Sequence, residues 1–135
     1  MKKFAAILNK KIETGKIMNA LAHMTAGLAG TFPNQEEMSF IDYKDQDGRS
    51  HIASKHPFII LKAKNSNQIR TIRNQAIENN IYFTSFTEAM TIGTWEDQLA
   101  KSKETKEENL EYYGICLFGD KDKIETLTKK FSLWI

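Results

Sequence analysis

The sequence predicts an α/β fold in which helices cover both faces of a mixed β-sheet. Four apolar segments of strand length are distributed along the chain, and segments with helical periodicity separate them. This alternation is typical of α/β sandwiches, because each helix packs its apolar side on the sheet. With 135 residues, the chain fits one domain spanning residues 1–135, which can bury a core without disulfides or structural metals.

The first predicted strand and helix lie near the N-terminus. Residues 4–8 are continuously apolar, as expected for a central strand covered on both faces. A helix is predicted over about residues 14–29, with Thr14 as its N-cap. Gly30 stands where a left-handed C-terminal residue is favoured, and Pro33 prevents continuation of the helix.

A peripheral β-hairpin, a second strand and a second helix follow. Residues 38–43 alternate in polarity and lead to Asp47-Gly48, a strong hairpin-turn signal. Residues 57–63 form the second apolar strand, after which Asn65 or Ser66 caps a helix that Asn79-Asn80 ends. The core stripe predicted for this helix consists of Ile69, Ile72, Ala76 and Ile77.

The remaining predicted elements are two strands, a charged segment and a last helix. Residues 81–86 form the third strand, which leads into a loop over 87–94, a place where functional residues often lie. Residues 95–109 are highly charged, which favours a solvated helix or a mobile connector without a chemical role. Residues 112–118 form the fourth strand, and a final helix is expected to direct Ile124, Leu127, Thr128 and Phe131 inward.

Composition limits the function classes. The 19 Lys and Arg residues against 17 Asp and Glu residues give a net charge of +2, without the strong basic field of a dedicated nucleic-acid binder. The single cysteine, Cys116, lies in an apolar run and is expected to be a buried, inert thiol. The N-terminal apolar run is too short for a signal peptide or a membrane span, so a cytoplasmic protein without a membrane partner is expected.

One face of the first predicted helix gathers polar chemistry. At about 100° per residue, Lys16, Asn19, His23 and Gly27 fall within a sector of roughly 80°. The neighbouring sector is apolar and is expected to face the core; it contains Ile17, Leu21, Met24 and Leu28. The helix start at Gly15-Lys16 favours an anion, because unbonded backbone N–H groups and a lysine lie there. Two plainer interpretations stay open: Lys16 as an ordinary surface lysine, and His23 as a histidine bonded to a carbonyl.

Other constellations carry little signal. The three histidines lie in different elements without metal-ligand spacing, and no phosphate-binding glycine loop or nucleophile elbow is present. No metal and no cofactor are therefore expected. Arg70 and Arg73 face either an anionic partner or solvent, and the turn itself explains the polar residues around Asp47-Gly48.

The chain resembles a family of uncharacterised proteins, the domain-of-unknown-function family 2000. The segments that carry the resemblance are residues 45–51 (Asp-x-Asp-Gly-Arg-x-His), 57–63, 86–89, 113–119, 127–128 and 132–134. The run Gly15-Lys16-Ile17 with Ala22-His23 also resembles the Gly-Lys-x-Ala-Ala-Gln-x-x-His motif of peptidyl-tRNA hydrolase II. This resemblance implies a three-layer α/β/α sandwich with a four-stranded mixed sheet, and the hydrolase relatives are often homodimers.

The resemblance also implies a site. Lys16 and His23 match the hydrolase motif, Thr14 and Ala20 differ from it, and the loop after the third strand offers Glu88 and Thr91. The implied catalytic residues are Lys16, His23, Glu88 and Thr91, and the implied substrate-binding residues are Gly15, Asn19 and Thr87. The function expected is binding of a small anionic or nucleotide-like ligand at the Lys16 helix start. The alternative is metal-free hydrolysis of peptidyl-tRNA or a related acyl ester or amide, with tRNA as a partner.

Overall fold

The chain folds into four α-helices and seven β-strands, in a computed structural model that describes residues 1–135. The strands are β1 (Lys2–Asn9), β2 (Phe40–Asp42), β3 (Ile52–Ser54), β4 (Phe58–Ala63), β5 (Tyr82–Thr87), β6 (Tyr112–Asp120) and β7 (Ser132–Leu133). The helices are α1 (Thr14–Thr31), α2 (Ser66–Glu78), α3 (Trp95–Glu104) and α4 (Lys121–Thr128), with short 3₁₀ turns at Gln35–Met38, Glu88–Met90 and Glu107–Asn109. The predicted α/β class is confirmed. None of the helices combines the length and the apolarity that crossing a bilayer requires.

The main sheet is mixed and contains five strands in the order β5-β6-β1-β4-β7. β1 runs parallel to β4 and antiparallel to β6, and the outer pairs β5–β6 and β4–β7 are antiparallel. The prediction of four strands was wrong, because β7 adds a fifth beside β4. β7 pairs only two exposed residues, which is shorter than the apolar runs from which the other strands were predicted.

The central strands divide the core into two layers by simple alternation. Phe4, Ala6 and Leu8 of β1 face α1, whereas Ala5 and Ile7 face the opposite side of the sheet. On the α1 side the helix contributes Ile17, Ala20, Met24 and Leu28. On the other side α2 and α4 contribute Ile69, Ile72, Ala76 and Ile124. Helices therefore cover both faces of the sheet, as the sequence predicts.

The predicted hairpin is present as the two-stranded ribbon β2–β3, separate from the main sheet. Its turn is held by Asp45, whose carboxylate accepts hydrogen bonds from the backbone N–H groups of Asp47 and Arg49 at 3.0 Å. Gly48 has φ +84°, a left-handed conformation that glycine adopts without steric cost. His51 contacts the other carboxylate oxygen of Asp45 at 3.0 Å, so the polar residues of this segment build the turn.

The ends of α1 differ from the prediction. The helix continues through Gly30 to Thr31, and Phe32, with φ −59°, closes it by donating its backbone N–H to the carbonyl of Leu28 at 3.0 Å. Gly30 is therefore an ordinary helical residue, and the predicted left-handed ending was wrong. At the other end Glu13 occupies the N-cap position without a side-chain bond, and Thr14 is the first helical residue.

The second helix follows the prediction except at one position. Asn65 is its N-cap and accepts a hydrogen bond from the backbone N–H of Gln68 at 3.0 Å. Ser66, the alternative cap, instead accepts a hydrogen bond from the backbone N–H of Tyr112 at 2.8 Å. Ile77 was expected in the core but is 51% exposed, whereas Ala76 in the same turn is fully buried, because Ile77 lies about 100° around the helix from it.

Candidate functional site

A cavity of about 630 Å³ opens where β5 ends and β6 begins, between the first turns of α1 and helix α3. We call it the α1 cavity. Its volume lies within the range of roughly 300–1,000 Å³ that small-molecule sites occupy. Nine residues line it: Gly15, Lys16, Asn19, His23, Phe86, Met90, Thr91, Gln98 and Tyr113.

Helix α1 supplies the polar row that the sequence predicts. Lys16, Asn19 and His23 line the cavity, whereas Ile17 and Ala20 between them are buried against the sheet. From Gly15 to His23 the row extends about 12 Å along the helix, at 1.5 Å per residue. The cavity can therefore accommodate an elongated ligand along α1.

The end of the cavity at the start of α1 favours negative charge. The first turn of α1 contains no acidic residue, and the N-cap Glu13 makes no side-chain hydrogen bond to the helix. The first backbone N–H of α1 that donates to the helix is that of Ile17. The N–H groups before it in the first turn therefore lack a helical partner. Lys16 makes no ion pair, and no carboxylate lines the cavity. Lys16 and the positive end of the helix thus meet where no carboxylate is bonded to either, and the acid nearest in sequence is the exposed Glu13.

A β-bulge supplies Tyr113. Phe86 pairs with Gly114 and Thr87 pairs with Tyr112, so Tyr113 is an extra residue on β6. Because of this insertion Tyr112 packs in the layer of α2, whereas Tyr113 packs in the layer of α1. Tyr113 is 8% exposed, and its hydroxyl bonds to no other group of the chain. Since no fully buried side-chain polar atom lacks a partner, this hydroxyl stays accessible, and the residue lines the cavity.

Three rings form a wall at the end of the cavity away from the helix start. The His23 and Phe86 ring centroids are 5.8 Å apart with 30° between the planes. The rings of Phe86 and Tyr113 are 5.9 Å apart at 43°. We call these residues the aromatic end and the region around Gly15 and Lys16 the cationic end.

Asn9 at the end of β1 links two of the segments that form the site. It is buried, and its side-chain amide donates to the carbonyl of Tyr112 at 3.1 Å. Its side-chain oxygen accepts the backbone N–H of Lys11 at 3.0 Å. One buried amide therefore ties the start of β6 to the loop that leads into α1.

The structure brings together five of the seven residues implied by sequence and places two outside the cavity. Gly15, Lys16, Asn19, His23 and Thr91 line the cavity, with the Thr91 hydroxyl donating to the carbonyl of Glu88 at 2.6 Å.

Thr87 is buried, and its backbone N–H contacts Met90 Sδ at 3.4 Å, but its side chain does not line the cavity. Glu88 lies in a separate surface hollow beside Glu111, because its backbone N–H donates to the Glu111 carbonyl at 2.9 Å. A hydrogen bond with the Glu88 carboxyl raises the pKa of Glu111 above its ordinary value. Gly27, the fourth member of the predicted polar sector, faces Thr84 of β5 and does not reach the cavity.

Four lining residues are absent from the implied site: Phe86, Met90, Gln98 and Tyr113. Gln98 lies on α3, within the segment interpreted as solvated or mobile. Thr94 and Asp97 cap this helix reciprocally, a pattern readable in the sequence that fixes the start of α3 and so the position of Gln98. Tyr113 has no such signal, because a bulge depends on the pairing of two distant strands.

Two arginines and a histidine outside the cavity have partners within the chain. Arg70 donates to the Glu107 carboxylate at 2.9 Å and to the Leu110 carbonyl at 2.6 Å. Arg73 donates to Asn74, and His56 contacts the Glu37 carbonyl at 2.8 Å. No group of three or more His, Cys, Asp or Glu residues is placed to hold a metal ion.

Comparison with known proteins gives a family match and a structural likeness. The model of the family described as protein of unknown function (DUF2000) matches residues 2–135. No curated protein matches the sequence. Among solved structures, a protein of unknown function from Agrobacterium tumefaciens strain C58 is similar, with a TM-score of 0.84 and 19% sequence identity. That match covers 99% of this chain and 98% of the other. At this identity the likeness shows a shared fold alone.

Proposed function

Because the chain belongs to the DUF2000 family of proteins of unknown function, we propose its function from the α1 cavity: the protein binds a small anionic, nucleotide-like ligand there. The observation that carries this proposal is the unpaired Lys16 beside the start of α1, whose first backbone N–H groups have no helical partner, in a cavity that no carboxylate lines. Such an arrangement repels cations and stabilises a phosphate or a carboxylate.

The other lining residues fit an organic anion better than a free inorganic ion. Asn19 and Gln98 bring side-chain amides that make no hydrogen bond within the chain, and each can both donate and accept. At the aromatic end the exposed His23 ring, stacked on Phe86, offers a face to a planar group. A ligand with its charge at Lys16 and its planar part near Phe86 would occupy the length of the cavity.

Thermal unfolding with phenyl phosphate as the probe tests the proposal. Lys16→Ala should leave the melting temperature of the free protein nearly unchanged, because Lys16 is exposed and unpaired. It should lower phenyl phosphate affinity about 10-fold or more, since a hydrogen bond to a charged group contributes about 1.5–3 kcal/mol. Stabilisation by the probe should shrink accordingly.

Lys103→Ala is the matched control, because Lys103 is an exposed lysine on α3 that forms no ion pair and does not line the cavity. It should respond to phenyl phosphate as the natural protein does. If the natural protein gains no stability from the probe, or if Lys16→Ala responds equally, the proposed function is wrong.

A second candidate is metal-free hydrolysis of an acyl ester or amide of the peptidyl-tRNA type, on a fold of the peptidyl-tRNA hydrolase II kind. The observation that favours it is the His23 imidazole, which makes no hydrogen bond within the chain and shares the cavity with Lys16 and Thr91. In this proposal His23 activates water, Lys16 stabilises the developing negative charge and Thr91 bonds the substrate. Glu88 lies outside the cavity and has no role in it.

Release of the acyl group from an N-blocked aminoacyl-tRNA distinguishes the two candidates. Turnover that Lys16→Ala and His23→Ala both abolish would support hydrolysis. Absence of turnover in the natural protein would exclude this reaction and leave the binding function. Affinity for tRNA that hardly changes between low and moderate salt would contradict contact with the phosphate backbone.

A further inference from the structure

We propose that the aromatic end of the α1 cavity is a second subsite, in which the Tyr113 hydroxyl and the Gln98 amide recognise the polar edge of a planar group. The ligand class is an anion that carries a planar group with an amide-type edge, such as a pyrimidine base. This inference rests on the proposed function, because the anion at Lys16 anchors the same ligand.

The position of Tyr113 is the first support. The bulge between β5 and β6 turns this side chain away from the α2 layer and into the cavity. More than nine-tenths of the residue is buried, yet its hydroxyl has no partner in the chain. A polar atom held in this way needs a partner from outside the chain, which a bound ligand or water supplies. Bulges commonly re-aim a side chain beside a functional site.

The neighbouring residue, Tyr112, has a hydroxyl that is already bonded within the chain. The Tyr112 hydroxyl donates to the Glu107 carboxylate at 2.7 Å, and the Arg70 guanidinium lies over its ring at 5.2 Å. Tyr112 is thus fully engaged in holding the fold. Two adjacent residues of the same type therefore have opposite hydrogen-bonding states, and only Tyr113 is available to a ligand.

Gln98 supplies the complementary group. Its side chain makes no hydrogen bond within the chain and reaches the cavity from α3, the helix that carries no buried residue. An amide and a hydroxyl together offer donors and acceptors to the alternating C=O and N–H groups of a uracil edge. The exposed His23 ring, which stacks on Phe86 and lines the same cavity, provides the face on which a base would lie.

The spacing agrees with one ligand that reaches both ends. Lys16 and His23 are seven residues apart on α1, which is about 10 Å along the helix axis. His23 stacks on Phe86, and Phe86 contacts Tyr113, so the aromatic end begins at that distance from the cation. A phosphate at Lys16 and a base at His23 would be joined by a linker of the size of a ribose.

Calorimetric affinities for uridine 5′-monophosphate and phenyl phosphate, measured with melting temperatures, test the subsite. The natural protein should bind the nucleotide more tightly, because phenyl phosphate has a ring without a polar edge. Tyr113→Phe should lower nucleotide affinity about 3- to 10-fold, the loss expected for one neutral hydrogen bond. The same variant should keep its melting temperature and its phenyl phosphate affinity. Gln98→Ala should weaken nucleotide binding in the same direction.

Tyr112→Phe is the matched control and should do the reverse. It removes a hydroxyl that is bonded within the chain, so the melting temperature should fall while nucleotide affinity stays unchanged. Equal binding of both probes by the natural protein and by Tyr113→Phe would overturn the subsite. A loss of stability in Tyr113→Phe without a change in affinity would also overturn it, by showing a structural role.

The two proposals fail in different ways. Suppose that phenyl phosphate binding depends on Lys16 but the nucleotide affinity does not depend on the Tyr113 hydroxyl. The anion site is then supported and the subsite is rejected. If neither probe binds to the natural protein, both are rejected.

Discussion

Two glycines on facing elements, Gly27 of α1 and Gly114 of β6, have opposite surroundings. A Cβ atom on Gly114 would lie 2.8 Å from Leu8 Cδ2, 2.9 Å from Met24 Cε and 3.2 Å from the Ile7 carbonyl oxygen. On Gly27 it would meet only Thr84 Cγ2, at 4.0 Å. Gly114 therefore permits close packing of α1 on the sheet beside the bulge, whereas Gly27 occupies an ordinary helical position.

These surroundings predict opposite effects of the same substitution. Gly27→Ala should stabilise the protein by about 0.5–1 kcal/mol, because alanine restricts the unfolded backbone and has space here. Gly114→Ala should destabilise it by about 1–3 kcal/mol through overpacking. Free energies of unfolding from urea titrations measure both changes. A destabilisation of similar size in the two variants would contradict this account.

At the scale of residues, the part of the site on α1 could be predicted and the rest could not. Lys16, Asn19 and His23 share a face because a helix repeats every 3.6 residues, a fact that needs only the sequence. Tyr113 follows a purely alternating strand pattern in the sequence, and only the extra residue in the pairing with β5 redirects it. Glu88 and Thr87 were assigned by their place in a loop, where no periodicity fixes a direction.

At the scale of elements, one cluster joins α2, the 3₁₀ turn Glu107–Asn109 and the start of β6. Arg70 donates to the Glu107 carboxylate, to the Glu107 carbonyl at 3.1 Å and to the Leu110 carbonyl. The Tyr112 hydroxyl donates to the same carboxylate oxygen of Glu107. This cluster fixes the connector that brings the chain back from α3 to β6.

The cluster predicts a pH dependence of stability. The Tyr112 hydroxyl, and then Arg70, hold the pKa of Glu107 below its ordinary value of 4.5. A carboxyl with a lowered folded-state pKa contributes stability above its unfolded pKa and loses it as pH falls through the folded value. Glu107→Gln should therefore be less stable than the natural protein at pH 7, by up to about 1 kcal/mol after solvent screening. The difference should vanish as pH falls well below 4.5.

Glu108→Gln is the control for this effect, since Glu108 is exposed and forms no ion pair. Its stability should match that of the natural protein across the same pH range in urea titrations. A difference between the natural protein and Glu107→Gln that stays constant with pH would show that the Glu107 charge contributes nothing.

Strands and helices whose own residues show a burial pattern could be predicted from the sequence. A strand that forms only by pairing with another strand could not. The apolar runs of β1, β4, β5 and β6 and the stripe of α2 appear in the sequence because burial selects their residues. β7 forms because β4 offers an open edge, and Trp134 donates its backbone N–H to the Ile60 carbonyl at 2.9 Å. The two exposed residues of β7 are too few to show a sequence pattern that predicts this pairing.

At the scale of the whole molecule, the thiol reactivity of Cys116 shows whether the sheet is folded. It lies on β6 opposite Ala6 of β1, is 0% exposed, and packs in the layer beneath α1. Burial raises the pKa of its thiol to about 12, so the reactive thiolate is strongly disfavoured in the folded state. The sequence predicts this buried thiol, and the structure confirms it.

Labelling of Cys116 should therefore require global unfolding. For a stability of at least about 5 kcal/mol, the native protein should react with an aromatic disulfide reagent roughly 10³-fold or more slowly than the unfolded chain. Absorbance of the released thiolate measures the rate, and the signal has one source because the chain contains a single cysteine. Rapid labelling under native conditions would show that β6 opens locally.

The order of the strands in the sheet has a consequence for synthesis of the chain. β1 is synthesised before its two neighbours in the sheet, β4 and β6, which end at Ala63 and Asp120. The central strand must therefore wait for one neighbour until residue 63 is made, and for the other until residue 120 is made. We therefore expect the sheet to form only after β6 has been made, with the apolar residues of β1 unpaired until then.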